Sequence, residues 1–412
     1  NQNIQQVAPP FPETINNIDY QRFQTCSESI FAQYDYAKYL GTADNPYFYL
    51  MKTDNMDITS CIIHPDTKVI AVSAFSGCLD LREVEIPNGV TTLCEGAFGG
   101  CFDITSITIP SSVASIADYA FASCVSLSSV TVLNNSAEIG KYAFSSCENI
   151  TSITLPAYAI DCIPDKKIIQ NLTINGGTSI KENFFNGCTN LTTLVIGDSV
   201  TTIEEYAFAQ CSGLTSVTLG KGLVTIGNSA FERCYGLPSI VVPEGVTSIG
   251  NSAFGDCTSL TSVVMPSTVT TFGISVFYGS NSITSATMPS TVAYEIARWA
   301  PLETVVINGG EIIAEATFQY CDKLTSVTIL DGVTTIGAGA FASCTNLNSI
   351  VIPDSVTSIG TDAFAGCDNV VDYDVPAIAY DYIPALASKN FKVGETGLQE
   401  YEANADIERL VV

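Results

Sequence analysis

The apolar positions recur in a fixed pattern. One stretch, residues 237–259, reads LPSIVVPEGVTSIGNSAFGDCTS. Its apolar side chains fall at Leu237, Ile240, Val242, Val246, Ile249, Ala253, Phe254 and Cys257. The run Ile240-Val241-Val242 predicts a short strand with two side chains facing inward. Pro243 ends that strand, because it has no N–H for a ladder. Glu244-Gly245 is turn chemistry. Ile249 and Ala253-Phe254 then suit a return segment containing one short helical turn.

The pattern repeats along most of the chain. Phe occupies positions 75, 98, 121 and 144, then 185, 208, 231, 254 and 277, then 318, 341 and 364. Within each series the spacing is 23 residues, and the two gaps between series are 41. Cys follows three residues after each Phe, from Cys78 to Cys367, except that Ser280 follows Phe277. Each gap of 41 divides into a coil of 19 and a coil of 22, in phase with Ile150, Ile153 and Leu155 and again with Ile283. A third short coil starts at Val370 and leads to Phe391 and Val393. One coil buries too little apolar surface to offset its own ordering, so stacked neighbours must supply the rest. About 16 coils with strands about 4.8 Å apart predict a parallel sheet roughly 70 Å long.

The pattern L-x-x-I-x-I-P-x-x-V-x-x-I-G-x-x-A-F-x-x-C-x-x resembles the BspA-like leucine-rich repeat. Residues 214–236 (LTSVTLGKGLVTIGNSAFERCYG) and 347–369 (LNSIVIPDSVTSIGTDAFAGCDN) match it nearly position by position. The resemblance covers residues 58–393. It implies a right-handed, curved leucine-rich-repeat solenoid, with a parallel sheet on the concave side and short irregular or helical turns on the convex side. It also implies a secreted or surface-displayed protein, some relatives being adhesins for host matrix proteins such as fibronectin and fibrinogen. The motif is scaffold and carries no catalytic or binding residues. The repeat starting at Leu260 departs most, with Phe272, Val276 and Ser280 in place of Ile, Ala and Cys, which puts its local packing in question.

Residues 1–57 lie outside the repeats and are rich in aromatics, among them Tyr34, Tyr36, Tyr39, Tyr47, Phe48 and Tyr49. They read as an N-terminal cap over an otherwise open stack; a ligand platform of exposed Tyr is the sharper alternative. Residues 394–412 read as a polar tail or a partial cap.

Composition narrows the function. Lys and Arg total 16 against 42 Asp and Glu, a net charge of −26. Nucleic-acid backbones need Lys and Arg, so that partner class is excluded. No apolar run reaches the roughly 18 residues of a spanning helix, so membrane insertion is excluded as well. A single His, His64, leaves no multi-histidine metal site and little room for Ser-His or Cys-His catalysis.

The outward strand positions form two columns of Ser, Thr and Val. Their central part, Ser216, Thr218, Ser239, Val241, Ser262, Val264, Ser285 and Thr287, is the candidate concave binding face. β-branched and small polar residues also simply suit strands, and the face lacks the aromatic and Arg anchors of a tight interface. The cysteine column reads as buried free thiols acting as small hydrophobes; an odd total of 15 and the absence of C-x-x-C pairs argue against disulfides or metal. His64 takes the place of the strand-ending Pro and reads as a turn residue. The pairs Glu83/Glu85 and Asp372/Asp374 each share one strand face and read as solubilising ends. Asp54 to Asp57 lacks the Gly and distal Glu of a calcium loop.

The sequence therefore predicts a non-enzymatic, extracellular or cell-surface recognition or adhesion protein, with no catalytic residues, cofactor or metal. Its partners would be protein or glycan macromolecules, host matrix proteins included, met by a monomer through extended surface. A rigid spacer in a larger surface protein is the alternative, and a carbohydrate-active enzyme on a solenoid the minor one.

Overall fold

A computed structural model describes residues 30–387. Two compact units divide at Gly310/Glu311.

In the first unit each coil supplies the expected strand. Among the described residues twelve such strands begin at Ser60, Glu83, Ser106, Ser129, Ser152, Asn171, Thr193, Ser216, Ser239, Ser262, Ser285 and Thr304. Equivalent residues face one another in parallel register, as Ser129 does Ser152 and Val130 does Ile153. Alternation turns Ile107, Val130 and Ile153 inward, where they are buried. The second unit holds three more strands, from Ser326, Ser349 and Asp372, paired in the same way. These 15 compare with about 16 coils expected; the coil of Phe391 and Val393 lies outside the described residues.

The return segment corrects the expectation of a helical turn. It carries a two-residue strand, such as Thr225–Ile226 or Ser248–Ile249, paired in parallel from coil to coil. A tight turn comes next, with left-handed residues two positions either side of Phe: Ser252 (φ 52°) and Asp256 (φ 55°) bracket Phe254. Two left-handed residues this close do not fit a right-handed helical turn. Coils pass so near here that a Cβ on Gly250 would lie 2.5 Å from the backbone nitrogen of Asn228.

The Phe side chains form a buried stack. In the first unit, rings from successive full coils lie 4.9 to 5.6 Å apart and nearly parallel. Phe318, Phe341 and Phe364 repeat this in the second. The repeat of Leu260 packs like the others, contrary to the question its sequence raised. Val276, Phe277 and Ser280 are fully buried, while Phe272 tilts against Phe277 at 6.4 Å.

Both short coils exist. Ser152–Leu155 pairs with Asn171–Ile174, and Ser285–Met288 with Thr304–Ile307. Each returns through a helix, a 3-10 helix at Ala157–Cys162 and an α-helix at Ser290–Ala297. The coils on either side then meet over the shortened one. Asn175 Nδ2 donates to Val132 O at 2.6 Å and Asn308 Nδ2 to Met265 O at 2.9 Å. Both Asn residues belong to an Ile-Asn-Gly-Gly run, 174–177 and 307–310. A Cβ on Gly176 would overlap Asn135 O, so only Gly fits that approach. The repeated run was a legible signal for this bridge.

The strand ladder is not continuous. In the first unit it breaks between Glu83–Glu85 and Ser106–Ile109, and between Ser216–Thr218 and Ser239–Val241. Pro238 stands just before the strand at the second break. At Thr215 and Thr261 the residue before the strand donates its N–H to the coil behind, to Thr192 O and Pro238 O. Pro has no N–H to give.

Ahead of the repeats, Ala32–Tyr34, Ala37–Leu40 and Tyr49–Thr53 form an antiparallel meander. Its last strand pairs in parallel with Val69–Ile70 and so joins the return ladder.

Candidate interaction surface

The eight candidate residues all project from the outward face of the strand ladder, half-exposed or exposed. They do not belong to one hydrogen-bonded ladder. Ser239/Val241, Ser262/Val264 and Ser285/Thr287 are successive rungs of one ladder. Ser216 and Thr218 belong to the ladder before the Pro238 break, paired with Thr193 and Val195. Val241, at the edge of the break, is 60 % exposed. The hydrogen bonds of this face lie in its backbone, and its side chains offer hydroxyls and methyls without aromatic or Arg anchors.

A groove of about 710 Å³ opens at the other break. Ser60, Ile62, Arg82, Glu83, Glu85 and Ser106 line it. Ile62 is 66 % exposed and stands opposite Glu85 in register. Arg82 turns to Asp103 at 3.1 Å. Glu83 and Glu85 share one strand face, with Cα atoms about 7 Å apart. At Asp372 the Ser349 hydroxyl donates at 3.1 Å.

The cysteine column has a specific role that the sequence did not reveal. In most coils the thiol donates to the carbonyl of the Phe one coil behind, as Cys101 does to Phe75 O (3.2 Å), Cys147 to Phe121 O (3.0 Å) and Cys367 to Phe341 O (3.2 Å). Burial pushes the thiols of Cys101 and Cys257 up to about 12. All 14 cysteines among the described residues are free.

His64 stacks on Tyr47 with centroids 3.7 Å apart, and Tyr34 meets it edge-on at 4.7 Å. Its backbone N–H donates to the Tyr39 hydroxyl, and its carbonyl closes a turn with Thr67 N–H. Tyr39 and Tyr49 are buried, while Tyr34 and Tyr36 are exposed, so only part of the aromatic N-terminal region faces outward. Asp54 pairs with Lys38 at 2.9 Å and accepts from Gln33. Among the described residues no group of three or more His, Cys, Asp or Glu is placed to hold a metal, and no helix is long and apolar enough to cross a membrane.

Known proteins extend this picture. No curated protein matches the sequence. Among solved structures, a leucine-rich repeat protein from Bacteroides ovatus is similar at 25 % identity over 85 % of this chain and 96 % of its own, with a TM-score of 0.35. A leucine-rich cell surface protein from Faecalibacterium prausnitzii shares 23 % identity over 86 % of this chain and 97 % of its own, with a TM-score of 0.27. The leucine-rich repeat protein of T. pallidum shares 24 % over 57 % of this chain and 83 % of its own, with a TM-score of 0.28. The model of the BspA type leucine-rich repeat region matches in six copies, over residues 47–168, 178–299 and 311–392. The chain belongs to the BspA-type leucine-rich repeat family.

Proposed function

We propose that this chain is a non-enzymatic recognition protein acting outside the cell, whose partners are proteins met across the outward face of the strand ladder. The open row of Ser, Thr and Val from Ser239 to Thr287 carries this reading. It is held in register by ladder hydrogen bonds that need no partner. An open polar-methyl face of this kind favours contact by area over a deep pocket. The charge of −26 disfavours anionic partners and keeps the chain soluble as a monomer. Residues 1–57 act as the cap and 58–393 as the solenoid; the pairing of Tyr49–Leu50 with Val69–Ile70 supports the first of these, while residues 1–29 of the cap and the tail or partial cap at 394–412 lie outside the described residues.

The test is a binding isotherm of the chain against immobilised fibronectin, fibrinogen and mucin at low and high salt. Saturable binding that survives high salt, and is lost in Val264→Lys with Thr287→Lys, is the expected result. Absence of binding to all three overturns the adhesion reading and leaves a rigid spacer.

A further inference from the structure

The residue types missing from the strand face gather elsewhere in the first unit, in the return segment of the second short coil. Tyr278 and Tyr294 are 53 % and 52 % exposed. Tyr278 meets the Trp299 ring edge-on, with centroids 5.1 Å apart and planes at 84°. The Arg298 guanidinium lies 4.7 Å from the Trp299 centroid and 5.7 Å from that of Tyr294. It also reaches Glu295 at 3.4 Å. The helix Ser290–Ala297 arranges this: residues three and four apart share a face, which aligns Tyr294 and Glu295 with Arg298. Tyr278 arrives from the coil before, on the turn after Phe277.

The cluster is not a by-product of the short coil. The first short coil has the same length and the same Ile-Asn-Gly-Gly exit, yet the equivalent positions hold Ser145, Asp161, Asp165 and Lys166. The aromatic set is specific to one place.

Its chemistry selects a ligand class. Exposed aromatic faces beside a planar guanidinium and a carboxylate suit a molecule with both an apolar face and a rim of hydroxyls. A sugar ring has C–H bonds on its face and hydroxyls at its edge. A protein partner needs about 800 Å² per side, far more than four side chains provide. A polyanion meets a chain of charge −26. The Trp299 indole N–H and one Glu295 carboxylate oxygen are buried without a hydrogen-bond partner, so the cluster holds an unspent donor and acceptor.

We propose that Tyr278, Tyr294, Arg298 and Trp299 form a subsite for one or two rings of a neutral glycan, stacked on the tyrosines and hydrogen-bonded at its hydroxyls by Arg298 and Glu295. The subsite is independent of protein recognition by the strand face.

Trp299 is the only tryptophan, so its emission reports directly on this site. The full chain is titrated with neutral hexasaccharides of glucose, mannose, galactose, xylose and N-acetylglucosamine, and with polygalacturonate and oligolysine as charged controls. The expected result is a saturable change with at least one neutral hexasaccharide. Tyr278→Ala and Tyr294→Ala each weaken it about tenfold, the loss of roughly one stacking contact. Tyr119→Ala, on another coil, leaves it unchanged. Arg298→Lys keeps the charge but not the planar fork and also weakens binding, which keeps the test sound if a Tyr variant unfolds. No response to any neutral hexasaccharide overturns the proposal. So does a response confined to the charged controls, or one that persists in the Tyr278→Ala, Tyr294→Ala double variant.

Discussion

Ser280 Oγ donates to the carbonyl of Phe254 at 2.8 Å, taking the place that a thiol fills in neighbouring coils. Cys257 makes the same bond to Phe231 O at 3.3 Å, and Cys234 to Phe208 O at 3.4 Å. Ser280 also accepts from the Cys257 backbone N–H at 2.9 Å. The column is defined by a small side chain that carries a donor, and sulfur is one way to supply it. Ser280→Ala strands a buried carbonyl and a buried N–H, at a cost of about 1–3 kcal/mol each by upper estimate. Ser280→Cys costs about 1 kcal/mol or less, because the donor is kept. Urea unfolding of the two variants separates them; equal losses would mean that packing alone sets the column.

The Phe stack predicts a contrast between interior and face. Phe231 is buried between Phe208 and Phe254, so Phe231→Ala is expected to cost about 3–5 kcal/mol. Ser262→Ala on the outward face is expected to change stability by less than about 0.5 kcal/mol. Thermal and urea unfolding of both variants check the ratio.

Restoring the missing N–H at Pro238 tests the origin of the ladder break. Pro238→Thr matches the residue at Thr215 and Thr261, whose N–H groups donate to the coil behind. The variant is expected to show a protected amide at residue 238 and slowed hydrogen exchange at residues 239–241. Unchanged exchange there would place the cause of the break elsewhere.

Alkaline pH is expected to weaken the fold. Burial raises the thiols of Cys101 and Cys257 to about 12, and those of Cys188 and Cys321 to about 11, from an ordinary 9.0. A group whose pKa is higher folded than unfolded contributes stability that is complete below the unfolded value and lost as pH rises through the folded one. Unfolding free energy should therefore hold steady to near pH 9 and fall from there toward 11–12. Iodoacetamide at about pH 8 should spare the buried thiols until denaturant is added. Rapid labelling of Cys101 or Cys257 in the native chain would contradict both statements.

Close approach at Gly250 predicts a steric loss. Gly250→Ala places a Cβ against Asn228 N and should cost about 1–3 kcal/mol, the usual range for overpacking. Gly187 has open space around its Cβ position but φ +74°. Gly187→Val should then cost about 1–2 kcal/mol from backbone strain alone. Chemical denaturation of each variant gives the values.

The strand positions, the Phe stack, the division of each 41-residue gap and the membership of the repeat family were legible in the sequence. Periodicity specifies them, because a residue that recurs every coil meets its own equivalents when coils stack. Only the tertiary structure decided the features that depend on residues outside that register. The return segment became a strand and a left-handed turn, since the path length of a coil is set by its neighbours. The ladder breaks at two places where the pattern of apolar residues is intact, because apolar spacing is blind to backbone donors. Tyr278, Tyr294, Arg298 and Trp299 came together from two coils of different length. Exposed side chains escape the burial constraint that makes a repeat readable, so their neighbours are known only once the coils are stacked.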